Sequence, residues 1–300
     1  MKQEALPQAA WTGAEKTSSA LARFVDACRV IARNRLALFG LFIVCTGVLT
    51  AIFAPYLATH DPYEINIANR LQSPSLEHWL GTDFLGRDTY SRIVFGARTA
   101  FEIATGAVFL GALFGIPLGA IAGFAGRWAD STIMRFMDAI MAFPGRLLAI
   151  ALVASAGGGF ASLYIALGLS SIPSNARIVR SAVLSQKERE YVEAARMTGE
   201  SDFFILFFQI LPNCLSPLLI RLSLEFAHVI LAESSLSFLG LGLPPPTASW
   251  GLMLKEVTPF LQLQPMAAFF PGLTISLIIL GFNLLGDGLR DIFDPRQYGR

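Results

Sequence analysis

Charge is what this 300-residue sequence most lacks: Asp, Glu, Lys and Arg make up 15% of it, against 54% hydrophobic residues. Soluble domains carry roughly 25% charged residues, so a water-facing globule is excluded as the main body. The 23 basic and 22 acidic residues nearly cancel, to a formal charge of +1, which gives no pointer to a nucleic acid. Cysteine is scarce as well. Cys28, Cys45 and Cys214 are scattered, with no Cys-x-x-Cys pair, so neither a disulfide framework nor a cysteine zinc site is expected, and they read as small apolar fillers. A nucleotide loop is missing too. The run at 155–160, Ser-Ala-Gly-Gly-Gly-Phe, is followed by no Lys-Ser/Thr, which makes it a flexible turn rather than a phosphate cradle.

Long apolar runs take the place of charge. About 20 apolar residues cross a bilayer, and six runs qualify: 36–58, about 99–126, about 136–156 (interrupted by Pro144 and Arg146), about 160–179, one within 203–240, and about 266–288. The fourth is rich in serine and holds Pro173. The 203–240 run would be about 57 Å long as one helix at ~1.5 Å per residue, too long for a single crossing. Pro212 and Pro217 are expected to break it, giving an interfacial helix over 203–211 and a crossing over 217–239. The fold class is thus all-α integral membrane with six transmembrane helices. The first apolar run begins only at Leu36 and is too long for a signal-peptide core. Residues 1–35 read as a cytoplasmic tail, 36–98 as the first span plus an outer loop, 99–289 as a five-helix core with a cytoplasmic loop at 185–211, and 290–300 as a second tail.

With the N-terminus placed inside, sixteen Lys and Arg residues fall in cytoplasmic segments and five outside. The positive-inside rule then puts both termini and the 177–202 loop in the cytoplasm, and an even number of spans agrees. The outer loop 59–98 is too long for a plain turn. Its Asp83, Arg87, Asp88 and Arg92 suit a folded cap with paired charges, or an elbow leading into the second span.

The 177–202 loop carries the clearest local grammar. Ser185-Gln-Lys-Glu188 fits a capping box, so a helix is expected over 186–198. Gly199 suits the left-handed residue that ends it, and Ser201 or Asp202 the cap of the next helix. Ala194 and Ala195 are small enough for a partner's backbone to approach, and Glu193 offers a charge to a partner's Arg or Lys. A solvated mixed-charge loop is the plain alternative.

Glu193-Ala194-Ala195, then Gly199, then Leu211-Pro212 resembles the coupling motif of the permease subunits of bacterial ATP-binding-cassette importers. The resemblance implies that Tyr191, Glu193, Ala194, Ala195, Arg196, Gly199, Ser201 and Asp202 meet a separate ATPase subunit. The family has an aliphatic residue two before the Leu, and here Gln209 stands there. Gly81-Thr-Asp-Phe-Leu-Gly-Arg-Asp88 with Ser91-Arg92 and Gly96-Ala-Arg98, Leu236-Ser-Phe-Leu-Gly-Leu-Gly242 with Ser249-Trp250-Gly251, and Gly286-Asp-Gly-Leu-Arg-Asp291 with Asp294-Pro295-Arg296 are similar to the second permease of dipeptide, oligopeptide and nickel importers. The resemblance runs from about residue 35 to the end; the first 20 residues carry none of it. It implies a type I importer permease fold, a related permease partner, two ATPase subunits that hold ATP and Mg, an extracytoplasmic solute-binding protein, alternating access, and no cofactor on this chain. Peptides are the implied cargo, with nickel, glutathione or an opine as alternatives.

Glu225 and His228, three apart, are expected to share a helix face, and Glu233 lies further along the same span. Ionisable groups inside a membrane are expensive and often functional, so these three are pathway candidates; bonds to neighbouring helices are the alternative. A di-metal centre would need a second Glu-x-x-His pair, which is absent, and no metal site is expected. Asp138 and Arg146 flank Pro144, suiting either packing or a gate. A stand-alone intramembrane enzyme or channel is the competing class, but it would need a converging cluster that only Glu225 and His228 approach.

Overall fold

A computed structural model describes residues 34–293, with side chains to residue 291. Residues 1–33 of the expected tail 1–35, with Cys28, and the Asp294-Pro295-Arg296 motif lie outside the described residues. Within them the chain is helical, with a single isolated bridge between Thr82 and Asp88. The main helices are α1 (Arg35–Ile52), α2 (Thr89–Ala125), α3 (Arg127–Met141), α4 (Gly145–Ala156), α5 (Phe160–Lys187), α6 (Glu190–Met197), α7 (Leu215–Leu239), α8 (Trp250–Val257) and α9 (Met266–Phe293).

Four of these, α1, α2, α7 and most of α9, are long and apolar enough to cross a membrane. The pair α3 and α4, bent by 77° at the break, makes a fifth crossing if counted as one broken span. Pro144 sits at that break as the residue that starts α4. Residues 127–135, which lie between the second and third expected spans, are instead the first part of α3. Its Asp130 takes two bonds from Arg180, one of them 2.6 Å from Nη2, and Asp138 takes one from Arg177 at 2.6 Å, so ion pairs clamp α3 to α5. Asp138 is thereby paired with Arg177 rather than with Arg146.

At 28 residues, α5 is long enough to cross, about 42 Å at ~1.5 Å per residue, and it runs unbroken through Pro173. Its serines and Asn175 keep it less apolar than the others. It tolerates them because its polar face lies against α2. There Gly111, Gly115, Gly119 and Gly123 recur every fourth residue, and a Cβ on Gly115 would stand 2.9 Å from the Ile172 carbonyl oxygen. Such small residues let two helix backbones approach closely in a membrane. The Gly-rich turn at 157–159 joins α4 to α5 with φ of 84°, 78° and 92°, a left-handed run that only glycine enters readily.

The second span begins at Thr89, not near residue 99. Asp88 caps it, its carboxylate accepting from the Ser91 amide at 2.8 Å. The preceding stretch folds as a cap over this helix end. Arg87 and Arg92, 2% and 0% exposed, both donate to Glu256 of α8, at 2.7 and 3.3 Å, and Arg87 also reaches Asp83 at 2.5 Å. The cap and the elbow expected as alternatives are therefore one structure. Trp250 opens α8 and packs on Gly96, its ring N–H donating to the Ile93 carbonyl at 2.9 Å.

Candidate functional site

Between α5 and α7 the chain forms the expected helix, tight turn, helix, with changed boundaries. Ser185 does not start a helix. Residues 185–187 finish α5, and α6 begins at Glu190 behind an extended Arg189 whose side chain does not cap it. The capping box fails because the α5 backbone is still helical where Ser185 would need an extended conformation. Gly199, with φ of 81°, makes the turn. The Ser201 hydroxyl then caps the next helix by accepting from the Phe204 amide at 3.3 Å. That helix runs from Asp202 to Asn213 and loosens to a wider turn over Ile205–Ile210. Only Cys214 separates it from α7, so the break falls after Pro212; Pro217 sits in the first turn of α7, where proline is tolerated.

One face of this segment is anchored. Val192, Ala195, Ile205, Leu206, Ile210 and Cys214 are buried in a cluster with Ala120 and Phe124 of α2 and Val179 and Val183 of α5. Tyr191 is half-buried and donates from its hydroxyl to Gln186 Oε1 at 3.1 Å. Burial pushes its phenol above the usual range, so it stays a neutral donor. Phe124 sits at the centre of the contact. The Lys187 ammonium lies 5.4 Å and the Arg196 guanidinium 5.6 Å from its ring centroid, and Lys187 also donates to the Phe124 carbonyl at 2.5 Å.

The other face is open. Glu193, Ala194, Arg196, Gly199, Ser201 and Asp202 are exposed, and nothing lies within 4 Å of where a Gly199 Cβ would sit. Of the eight residues singled out from the sequence, only Ala195 and Tyr191 turn towards the protein. Gln209, the departure from the family pattern, has a local role. Its amide donates to the Glu200 carboxylate, tying the second helix back to the turn after Gly199.

The three pathway candidates of α7, Glu225, His228 and Glu233, do not converge. Glu225 is 1% exposed whereas His228 is exposed, so the shared face expected from their spacing is not shared in environment. Neither carboxylate oxygen of Glu225 has a hydrogen-bond partner among the described residues, and Arg221 is 3.9 Å away. The Glu225 carboxylate and the unpartnered Asn175 amide both lie 3.3 Å from where a Gly111 Cβ would stand. Sequence reasoning missed Asn175; a polar residue facing a glycine run was its available signal. Glu233, also 1% exposed, is satisfied by hydroxyls: Ser237 at 2.7 Å, Ser249 at 2.9 Å and Ser234 at 3.3 Å. It joins α7 to the start of α8.

Residues 115–298 match the binding-protein-dependent transport system inner membrane component family, and residues 23–74 match the N-terminal transmembrane domain of oligopeptide transport permease C. The dipeptide transport system permease protein DppC of Alkalihalophilus pseudofirmus is 44% identical over 283 residues, 94% of this chain and 93% of that one. The glutathione transport system permease protein GsiD of Pectobacterium atrosepticum is 44% identical over 258 residues, 86% and 85% of the two chains. A solved structure of the MetNI methionine ABC transporter in inward-facing conformations superposes with a TM-score of 0.56 at 16% identity, covering 68% of this chain and 97% of that one; at that identity the likeness speaks for the fold. The helical core, the anchored segment with its open face, and these matches agree, and the chain belongs to the family of binding-protein-dependent transport system inner membrane components, as a multi-pass permease subunit of an ABC importer.

Proposed function

We propose that this permease carries peptides inward by alternating access, and that the segment from Glu190 to Asn213 is where separate ATPase subunits drive it. The observation that carries the reading is the two-faced build of that segment. Its inner face is buried against α2 and α5, while Glu193, Ala194, Arg196 and Gly199 stand exposed. A push on the open face is delivered to two long helices, as a conformational equilibrium biased from outside requires. ATP and Mg reside on the partners in this reading. A related permease completes the pathway, a solute-binding protein delivers cargo, and both termini lie in the cytoplasm, as the charge count favours. Of the three pathway candidates on α7, only His228 is exposed and so open to that second permease; Glu225 and Glu233 are buried within this chain.

The similarity to both a dipeptide and a glutathione permease supports peptide cargo and keeps glutathione as the second reading. ATP-dependent uptake of labelled dipeptides and of glutathione, in membranes carrying all subunits, separates them. In the same vesicles, Glu193→Ala and Gly199→Val are expected to leave ATP hydrolysis running while uptake falls to background. Normal uptake by both variants refutes the coupling role, and uptake by the purified chain alone refutes the need for ATPases.

A further inference from the structure

The cap holds a second constellation that the transport function does not use. His60, His78 and Asp88 come from three separate stretches of chain, yet one ligand atom of each lies within 4.8 Å of the others. His78 Nδ1 is 2.9 Å and His60 Nδ1 3.8 Å from the same Asp88 Oδ1. The two rings are tilted by 38° with centroids 4.7 Å apart. Asp88 and His78 are 1% and 7% exposed at their side chains, and His60 is 33% exposed.

Within the chain, hydrogen bonds hold these groups: His78 Nδ1 pairs with Asp88 Oδ1 at 2.9 Å, and His60 Nδ1 with the Thr59 hydroxyl at 3.1 Å. Asp88 Oδ2 is committed to the helix start, accepting from the Ser91 amide at 2.8 Å and the Ser91 hydroxyl at 2.7 Å. This fixes the carboxylate and turns Oδ1 towards both imidazoles. His60 Nδ1 is beyond hydrogen-bond reach of Oδ1. Ligands bonded to zinc at about 2.0–2.2 Å in a tetrahedron stand roughly 3.3–3.6 Å from one another, so on binding the 2.9 Å His78–Asp88 contact would open and the 3.8 Å His60–Asp88 spacing would close, each by a few tenths of an ångström. A cavity of about 170 Å³ adjoins the three side chains and is lined also by Asp61, Glu64 and Glu77. Those carboxylates favour a cation, and the cavity leaves room for a further ligand or water.

We propose that His60, His78 and Asp88 bind a divalent transition metal of the zinc and nickel class, pinning residues 59–60 to the start of α2. Two imidazoles and one carboxylate suit that class, and the Ser91 bonds supply the outer support such ligands ordinarily have.

The test uses the assembled transporter, purified in detergent, stripped with a chelator, re-equilibrated with zinc chloride and desalted. Wild type is expected to retain about one zinc more per copy of this chain than His60→Gln or Asp88→Asn, with nitrogen and oxygen scatterers at about 2.0–2.2 Å in X-ray absorption. His60 is partly exposed, and Asn keeps an acceptor for the helix cap, so both variants should fold. Glu77→Gln, on the cavity wall outside the triad, should keep the metal. Equal zinc in wild type and His60→Gln overturns the proposal and leaves His78–Asp88 a plain hydrogen bond. Loss in Glu77→Gln equal to that in His60→Gln also overturns it, pointing to a diffuse acidic surface instead.

Discussion

The cap over the start of α2 and the segment from Glu190 to Asn213 are both rich in charge, and they handle it in opposite ways. In the cap, Arg87 and Arg92 are almost wholly buried and share Asp83 and Glu256. In the segment, Glu190, Glu193, Arg196, Glu200 and Asp202 are exposed and form no ion pair among the described residues. The cap completes its electrostatics within the chain, as a rigid structural element must. The segment spends little of its charge on its own fold, with only Arg196 over the Phe124 ring and Glu200 bonded to Gln209, although its apolar face is buried against α2 and α5. Buried unpaired charge is costly and exposed unpaired charge is nearly free, so only the segment can present charge to a partner without weakening the permease.

The strongest way to break this contrast is to unbalance the cap. Glu256→Ala leaves Arg87 and Arg92, both buried, sharing Asp83 alone. Removing one partner of a buried ion pair costs about 3–5 kcal/mol. Thermal unfolding of the purified protein should show that loss, together with a fall in membrane abundance. A melting temperature equal to wild type would mean that water reaches the two guanidinium groups and the cap is not closed.

A middle-sized effect is expected where the segment is fastened. Phe124 is 8% exposed and carries Lys187 and Arg196 over its ring. Phe124→Leu keeps an apolar filler but removes the π face. Cation–π contacts at partly exposed sites contribute about 0.5–1 kcal/mol each, so the stability loss should be about 1–2 kcal/mol. The more telling readout is the ratio of solute moved to ATP hydrolysed, which should drop because the segment then bears on α2 through a looser contact. An unchanged ratio would shift the transmission route to α5.

The broad fold was legible because hydrophobic length is written directly in the chain. The apolar runs at 36–58 and 266–288 correspond to α1 and α9, and Gly199 and Ser201 act as their residue types suggest. Boundaries were less legible where tertiary contacts overrule local signals. Residues 127–135 look like a polar loop, but Arg177 and Arg180 hold them as a helix through Asp138 and Asp130. Ser185 looks like a cap, but α5 continues past it. The α7 residues misled for another reason: spacing fixes angular position on a helix, not what lies opposite, and Gly111 of α2 admits Glu225 while His228 is left outside. The His60, His78 and Asp88 cluster has no sequence signature, because ligand residues 18 and 10 apart match no local metal motif and are gathered only by the fold of the cap.

Gln209 offers the finest test. Its amide bond to Glu200 is the one side-chain contact that an acidic group of the exposed turn makes within the segment. Gln209→Leu restores the aliphatic residue of the family pattern and frees Glu200. Both groups are near the surface, where such changes usually stay within about 0.5 kcal/mol, so folding should be indistinguishable from wild type. If the open face needs only its charges and its Gly199 turn, uptake per ATP should also be unchanged. If instead the Gln209–Glu200 tie fixes the angle between the two short helices, coupling should fall with no change in stability. Comparing the variant with Gln209→Leu/Glu200→Gln decides between these. An equal fall in both assigns the effect to the lost tie, and recovery in the double variant assigns it to the freed carboxylate.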